Sequence, residues 1–186
     1  FEVIIYDDGS PRYKEIEDIV NILNDSRICL YIGENVWFIK NWNRTLLKCK
    51  GEYIKIIGDD DVLLPKCIEE QYNILENNET VWFVYSNVIA IDSNGSKIVN
   101  KFFNENSHKI FSWNTLEIWS SFIENYFLWK RKVWLPGSVL FRHSSVNDID
   151  LFDEEIWSPV DIDYWLNIAH KHDSYYIDEE SGIRST

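Results

Sequence analysis

Two clusters of carboxylates are the residues of this sequence best suited to chemistry. Asp7 and Asp8 directly follow one apolar, β-branched run, and Asp59, Asp60 and Asp61 follow another. Carboxylate oxygens are the ligands that Mg²⁺ and Mn²⁺ prefer, and these ions bring bound phosphates with them. The two clusters therefore indicate a site for a divalent cation and a phosphorylated ligand. The first cluster also fits a turn with a helix cap, and the second also fits a solvated acidic turn.

The elements around these clusters are expected to bring both to one crevice. The hydrophobic periodicity predicts strands over 1–6, 28–32 and 53–57, and helices over 13–23, 37–49 and 65–76. This alternation predicts an α/β fold, with a mostly parallel sheet that is covered by helices on both faces. Ligands of such sheets bind beyond the carboxyl ends of the strands, where both acidic clusters lie.

The second half of the chain is less regular. Its patterns predict strands over 82–91, 97–99, 138–141 and 175–177, helices over 115–127 and 160–170, and a polar loop over 104–108. We expect this half to shape a pocket above the sheet.

Composition excludes several classes of protein. The 186 residues include 45% hydrophobic residues, which argues against disorder, and carry a net charge of −13, which argues against nucleic-acid binding. The three cysteines, Cys29, Cys49 and Cys67, have no CxxC spacing, which argues against a disulfide framework and a zinc site. We see no membrane-spanning run and no export signal, and we expect a cytoplasmic protein.

Several segments resemble those of the family-2 glycosyltransferases, an inverting group with the GT-A fold. Residues 3–10, VIIYDDGS, resemble the family's DDGS element, and residues 50–65, KGEYIKIIGDDDVLLP, resemble the block that carries its DxD motif. Further segments resemble family elements in the same order: Asn35, 41–44, 137–142, 152–154 and 161–166. The resemblance covers nearly the whole chain.

The resemblance implies one glycosyltransferase domain over 1–186. Residues 1–92 would bind a nucleotide-diphosphate sugar, with UDP as the favoured nucleotide, and residues 93–186 would hold the acceptor and the catalytic base. Mn²⁺ or Mg²⁺ would bridge the diphosphate and stabilise it as a leaving group. The implied donor-side residues are Asp7 or Asp8 at the base, Asp59 and Asp60 at the ribose and the metal, Asp60 and Asp61 as metal ligands, and Arg184 at the diphosphate.

Asp161 lies where the family's catalytic base lies. It would take the proton from an acceptor hydroxyl during inversion, a role worth about 10²–10⁴-fold in rate. Asp163 is the second candidate for this base. Asp161 also fits an acid that complements the dipole of a helix beginning after Ser158 and Pro159.

Other residues have roles that are less specific. The tryptophans on predicted helices, Trp37, Trp42 and Trp165, are expected in the core. The resemblance places Glu154 and Trp157 near the acceptor, although both also fit an ordinary loop. The basic run 130–132 is either solvated or in contact with an anionic membrane or a charged acceptor. The implied acceptor is a saccharide or a lipid-linked saccharide, with peripheral association at the inner face of the membrane.

The sequence departs from the family pattern at three points. The family's first strand–helix unit is absent before the DDGS element, from which we expect the chain to be part of a longer protein. Gly58 stands where the family's first DxDD aspartate lies, and Thr186 stands where a metal-side histidine often lies. Two alternatives stay open: a sugar nucleotidyltransferase, and a non-catalytic α/β interaction module with an acidic face.

Overall fold

The computed structural model describes residues 1–98, 114–127 and 135–185, with side chains described as far as Asp178. The helices are α1 (Tyr13–Leu23), α2 (Phe38–Leu46), α3 (Cys67–Asn77), α4 (Trp119–Phe127), α5 (Ser145–Ile149) and α6 (Val160–Ala169). The strands are β1 (Val3–Asp7), β2 (Ile28–Ile32), β3 (Tyr53–Ile54), β4 (Asp61–Leu63), β5 (Val81–Ile91), β6 (Thr115–Glu117), β7 (Val139–Arg142) and β8 (Asp173–Ser185). The predicted loop at 104–108, the basic run at 130–132 and Thr186 lie outside the described residues.

The described strands form two sheets. β1 and β2 pair in parallel as a two-stranded sheet, and the other six form a sheet of order β3-β7-β5-β8-β4, with β6 also paired to β8. Within the larger sheet β5 and β8 run in parallel, whereas the remaining described pairings are antiparallel. The predicted α/β class is confirmed. The larger sheet is mixed rather than mostly parallel, because β4, β6 and β7 run opposite to β3, β5 and β8.

The larger sheet has a hydrophobic core on each face. Side chains alternate between the two faces along a strand. On β5, Phe83 joins the core that contains Trp165 of α6, whereas Val84 joins the core that contains Leu75 of α3. Helices therefore cover both faces, as the sequence predicts.

Tertiary partners change two predicted elements. The helix expected from residue 115 begins at Trp119, and the residues before it form β6. Glu117 of β6 is buried, and its carboxylate accepts hydrogen bonds from Tyr85 Oη at 2.6 Å and Asn125 Nδ2 at 3.0 Å. The strand expected over 53–57 ends at Ile54, and part of the acidic turn forms β4 against the distant β8. Neither β6 nor β4 has a local signal, because their partners lie far along the chain.

The tryptophans divide between core and surface. Trp165 is 1% exposed, and Trp42 packs against the same core, as predicted. The prediction of a buried Trp37 was wrong, since its side chain is 53% exposed. The reason is that α2 begins at Phe38, so Trp37 precedes the helix, at φ +67°, and is not part of its buried stripe. No helix among the described residues is long and apolar enough to cross a membrane.

Candidate active site

Asp7 organises the loop that follows β1. Its side chain is buried, with 8% exposed. Oδ1 accepts the backbone N–H groups of Gly9 at 2.9 Å and Ser10 at 2.8 Å, and Oδ2 accepts Ser10 Oγ at 2.6 Å. Burial raises the pKa of Asp7, but these three hydrogen bonds outweigh it and keep that pKa below its ordinary value. Of the two aspartates, Asp7 is therefore used within the loop, and the half-buried Asp8 is the better placed to face a ligand.

The loops that follow β1 and β2 lie against each other. Gly9 has φ +91°, and a Cβ there would lie 3.2 Å from the Gly33 carbonyl oxygen and 3.3 Å from the Asn35 nitrogen. Asn41 of α2 donates to the Tyr6 carbonyl at 2.9 Å and so fixes the helix to the end of β1. These loops form one surface at the carboxyl ends of two parallel strands, where α/β proteins bind ligands.

Asp60 and Asp61 converge around Gly58. A Cβ on Gly58 would lie 2.8 Å from Asp60 Oδ1 and 3.2 Å from Asp61 Oδ2. The glycine therefore leaves the space in which both carboxylates approach the backbone. Asp61 Oδ2 also lies 3.0 Å from where a Cβ on Gly137 would be. Asp61 is half-buried, whereas Asp59 and Asp60 are exposed.

Two basic residues lie beside this acidic loop. Asp61 pairs in register with Arg184 across β4 and β8. Lys55, which our sequence reasoning missed, donates from Nζ to Gln71 Oε1 at 2.8 Å. Burial lowers the pKa of Lys55 to about 8, and the nearby Cys67 and Asp61 favour its charged form. A lysine inside the apolar run at 53–57 was the signal available in the sequence.

The carboxylates of this loop suit a metal ion whose remaining coordination positions are filled by a bound ligand. No group of three His, Cys, Asp or Glu side chains in the described ranges could by itself hold a metal ion. Mg²⁺ is usually bound by one or two carboxylates together with substrate phosphates and water. Asp60 and Asp61 supply two such carboxylates.

Asp161 lies in the first turn of α6 and is half-buried. Burial raises the pKa of Asp161, and the backbone amides of Asp161 and Ile162 offset part of that rise. Burial also raises the pKa of Tyr126 on α4, and the charge of Asp161 adds to it. Asp163, the second candidate, instead accepts a hydrogen bond from Asn167 on the exposed side of the helix, at 3.0 Å. A half-buried carboxylate of raised pKa suits a general base.

Asn43 connects α2 to the segment that leads into α6. It is 5% exposed. Its Nδ2 donates to the Phe152 carbonyl at 2.9 Å and its Oδ1 accepts the Phe152 N–H at 3.0 Å, while Glu154 Oε1 lies 3.2 Å from Nδ2. Our sequence reasoning gave Asn43 no role of its own. Its signal was a polar residue on the buried stripe between Ile39 and Leu46.

A mixed α/β sheet with acidic loops after its strands, and an aspartate at the start of a helix, are features of a GT-A type of transferase fold. The family profile named Glycosyl transferase family 2 matches residues 1–149. The chain belongs to this family, as its motifs predict.

Curated relatives are longer than this chain. An uncharacterized glycosyltransferase of Methanocaldococcus jannaschii is 26% identical over 181 residues, which cover 96% of this chain and 57% of the relative. An uncharacterized glycosyltransferase of Rickettsia typhi is 29% identical over 187 residues, which cover 99% of this chain and 54% of the relative. The chain thus spans little more than half the length of these relatives.

Solved structures share the fold. A crystal structure of S. aureus TarS 1-349 has a TM-score of 0.67 and 16% identity, and the match covers all of this chain and 51% of that one. The same protein in complex with UDP-GlcNAc has a TM-score of 0.66 and 16% identity, with 100% and 50% covered. This similarity confirms the expected GT-A fold.

Proposed function

We propose that this chain is the donor-binding and catalytic part of an inverting, metal-dependent glycosyltransferase. The convergence of Asp60 and Asp61 around Gly58, with Asp61 in register with Arg184, is the observation that carries the proposal. Family membership supports sugar transfer. The complex of S. aureus TarS with UDP-GlcNAc supports a UDP-sugar as the first donor to test.

On the donor side, the loop organised by Asp7 presents Asp8 to the nucleotide base, and Asp59 contacts the ribose. Asp60 and Asp61 would hold Mn²⁺ or Mg²⁺, and such a metal would supply positive charge to stabilise the leaving diphosphate. Arg184 adds a positive charge for the same diphosphate.

On the acceptor side, Asp161 accepts the proton of a hydroxyl group as that oxygen attacks the anomeric carbon. The bond from the anomeric carbon to the diphosphate breaks on the opposite face, its electron pair leaves with the nucleoside diphosphate, and the configuration inverts. The acceptor is a saccharide or a lipid-linked saccharide, for a surface polysaccharide or glycolipid made at the cytoplasmic face of a membrane.

Calorimetric titration tests the donor site. UDP, GDP, dTDP and CDP are titrated with and without Mn²⁺ into the protein and its Asp60→Asn variant. We expect one nucleotide to bind in the presence of Mn²⁺ and to lose at least about tenfold in affinity in the variant, the equivalent of about 1.4 kcal/mol. Asp18→Asn, which removes one exposed carboxylate on α1, is the matched control.

Two results would contradict the proposal. The first is nucleotide binding that is equally strong without Mn²⁺ and unchanged in Asp60→Asn, which would contradict a metal in the donor site. No nucleotide binding by a protein that unfolds cooperatively would favour an interaction module instead.

A further inference from the structure

Two exposed tryptophans stack on each other at the surface. The side chain of Trp157 is 74% exposed and that of Trp37 is 53% exposed. Their ring centroids lie 5.0 Å apart, with 29° between the ring planes. We name these two residues the tryptophan pair. Single exposed apolar side chains are common, whereas adjacent large ones mark sites that bind something.

A row of aromatic contacts runs from the residue next to Trp37 into the core. Phe38, next to Trp37, contacts Trp42 at 5.2 Å between centroids, Trp42 contacts Phe152 at 5.3 Å, and Phe152 stacks on Tyr164 at 4.1 Å. Tyr164 lies three residues after Asp161 on α6, and residues so spaced share a helix face. The row therefore connects the tryptophan pair to the helix of the proposed base.

The backbone fixes the pair further. Trp37 has φ +67°, which is unfavourable for a bulky residue and persists only where the surroundings determine it. The segment of Trp157 is attached to α2 by the hydrogen bonds of Asn43 to Phe152. A rigid aromatic surface loses little conformational entropy when a ligand binds.

Each tryptophan of the pair is close in sequence to one half of the proposed site. Residues 33–35, just before Trp37, contact the Gly9 loop on the donor side. Trp157 precedes Asp161 by four residues on the acceptor side. The stacking of Trp37 on Trp157 therefore joins the segment next to the donor loop to the segment that leads to the base.

The surroundings of the pair favour a neutral polyhydroxy ligand. Asp153, Glu154 and Glu155 are exposed and closely precede Trp157. An aromatic face accommodates the apolar C–H face of a sugar ring, while carboxylates accept hydrogen bonds from its hydroxyl groups. The same carboxylates repel an anionic lipid surface.

We propose that the tryptophan pair is a stacking platform for a pyranose ring of the acceptor. The acceptor would then be a saccharide, rather than an open-chain polyol or a bare lipid phosphate. The assignment of this saccharide as the acceptor rests on the proposed function.

Saturation-transfer NMR tests the platform with two probes. Cellotriose is a neutral chain of pyranose rings, and sorbitol is an open-chain polyol with similar hydroxyl groups. We expect saturation of cellotriose, strongest on the C–H protons of one ring face, and none of sorbitol. Trp157→Ala should weaken cellotriose binding about tenfold, the loss of one stacking contact.

Trp119→Ala is the matched control, since Trp119 of α4 is 48% exposed and lies outside the pair. It should leave cellotriose binding unchanged, and both variants should keep the unfolding midpoint of the parent protein. Titration of UDP with Mn²⁺ into the same samples should give equal affinities. If the parent protein did not bind UDP, the proposed function would be overturned. The cellotriose result would still show whether the tryptophan pair binds a pyranose ring.

Four results would overturn the platform. The first two are absence of cellotriose binding, and cellotriose binding that is unchanged in Trp157→Ala. The third is adhesion to phosphatidylglycerol vesicles that Trp157→Ala abolishes, which would identify a membrane surface. The fourth is a dimer in sedimentation analysis that Trp157→Ala dissociates, which would identify a second copy of the chain.

Discussion

At the scale of single residues, the burial of Asp161 sets the pH range in which it can act as a base. A base must be ionised, and burial raises the pKa of this carboxyl group. We expect the transfer rate to fall as the pH drops through that raised pKa, so the acidic limb lies above the ordinary aspartate value of about 3.9. The pH dependence of kcat measures this limb.

The matched variants are Asp161→Asn and Asp163→Asn. We expect the first to lose about 10²–10⁴-fold in kcat while it keeps donor affinity, and the second to keep the pH profile. A profile that moves only with Asp163→Asn would assign the base to Asp163.

Burial of Asp161 also has a cost in stability. Because the pKa of Asp161 is raised in the folded state, ionisation of this group lowers the free energy of unfolding. The loss is absent below the pKa of the unfolded state and complete above the pKa of the folded state. We expect Asp161→Asn to raise the free energy of unfolding at pH 7 but not at pH 3. Urea unfolding at the two pH values measures the difference, and equal effects at both would contradict it.

The effect of pH on the stability contributed by Asp7 has the opposite sign. Its pKa is lowered on folding, so its stabilisation is complete above the unfolded value of about 3.9 and is lost as the pH falls through the folded value. Asp7→Ala removes the acceptor of three hydrogen bonds, and we expect it to destabilise the protein by about 1–3 kcal/mol at pH 7. Urea unfolding measures this, with Ser10→Ala as the variant that removes only the side-chain hydrogen bond.

At the scale of elements, Arg142 of β7 joins three parts of the fold. Its guanidinium group donates to the carbonyl groups of Val81 at 2.9 Å, Leu75 at 2.7 Å and Asn78 at 3.2 Å. Two of these carbonyl groups lie at the end of α3, where orphan acceptors need partners. We expect Arg142→Lys to cost about 1.5–3 kcal/mol, the value of a hydrogen bond to a charged group.

Urea unfolding measures the effect of Arg142→Lys. Arg27→Lys is the control, because the contacts of Arg27, an ion pair with Asp25 and a cation–π contact with Phe1, lie at the surface. A loss no larger than that of the control would show that the lysine reaches the same carbonyl groups.

The elements differ in how far the sequence predicts them. The predicted bounds of α1 and β2 match the structure, because apolar periodicity and turn residues are local signals. β4 and β6 were missed, because each forms only against β8. Trp37 was assigned to the core because its spacing fits the apolar stripe, while its place before the first turn of α2 is set by the backbone.

The residues of the candidate site also differ in how far the sequence predicts them. Its two acidic clusters are visible in the sequence because they follow apolar runs, and Asp161 is visible through the family resemblance. The roles of Asn43 and Lys55 depend on partners at Phe152 and Gln71, which no local pattern reveals. The approach of Asp60 and Asp61 to Gly58 likewise depends on the fold of the loop.

At the scale of the whole molecule, charge sets a condition on the donor. The chain carries a net charge of −13, and a nucleotide sugar is itself an anion. The basic residues beside the acidic loop and a bound cation would offset this repulsion locally. The exposed acidic groups elsewhere would still slow the approach of an anionic acceptor, in agreement with a neutral sugar at the tryptophan pair.

The separate two-stranded sheet has a dynamic consequence. No residue of α1 is buried, and on β1 only Asp7 is buried. Two strands alone are marginally stable, and weakly packed units open before the rest of a protein. We expect backbone amides of β1 and β2 to exchange with deuterium well before those of β5, as measured by hydrogen-exchange mass spectrometry. Equal protection of both sheets would contradict this.

If these strands open on their own in the 186-residue chain, nucleotide binding to that chain is coupled to local refolding. Only the closed fraction of molecules binds, so the apparent affinity is the intrinsic affinity scaled by that fraction. Substitutions that stabilise β1 and β2 would then tighten nucleotide binding without touching the nucleotide, and bound nucleotide would slow exchange in these strands selectively.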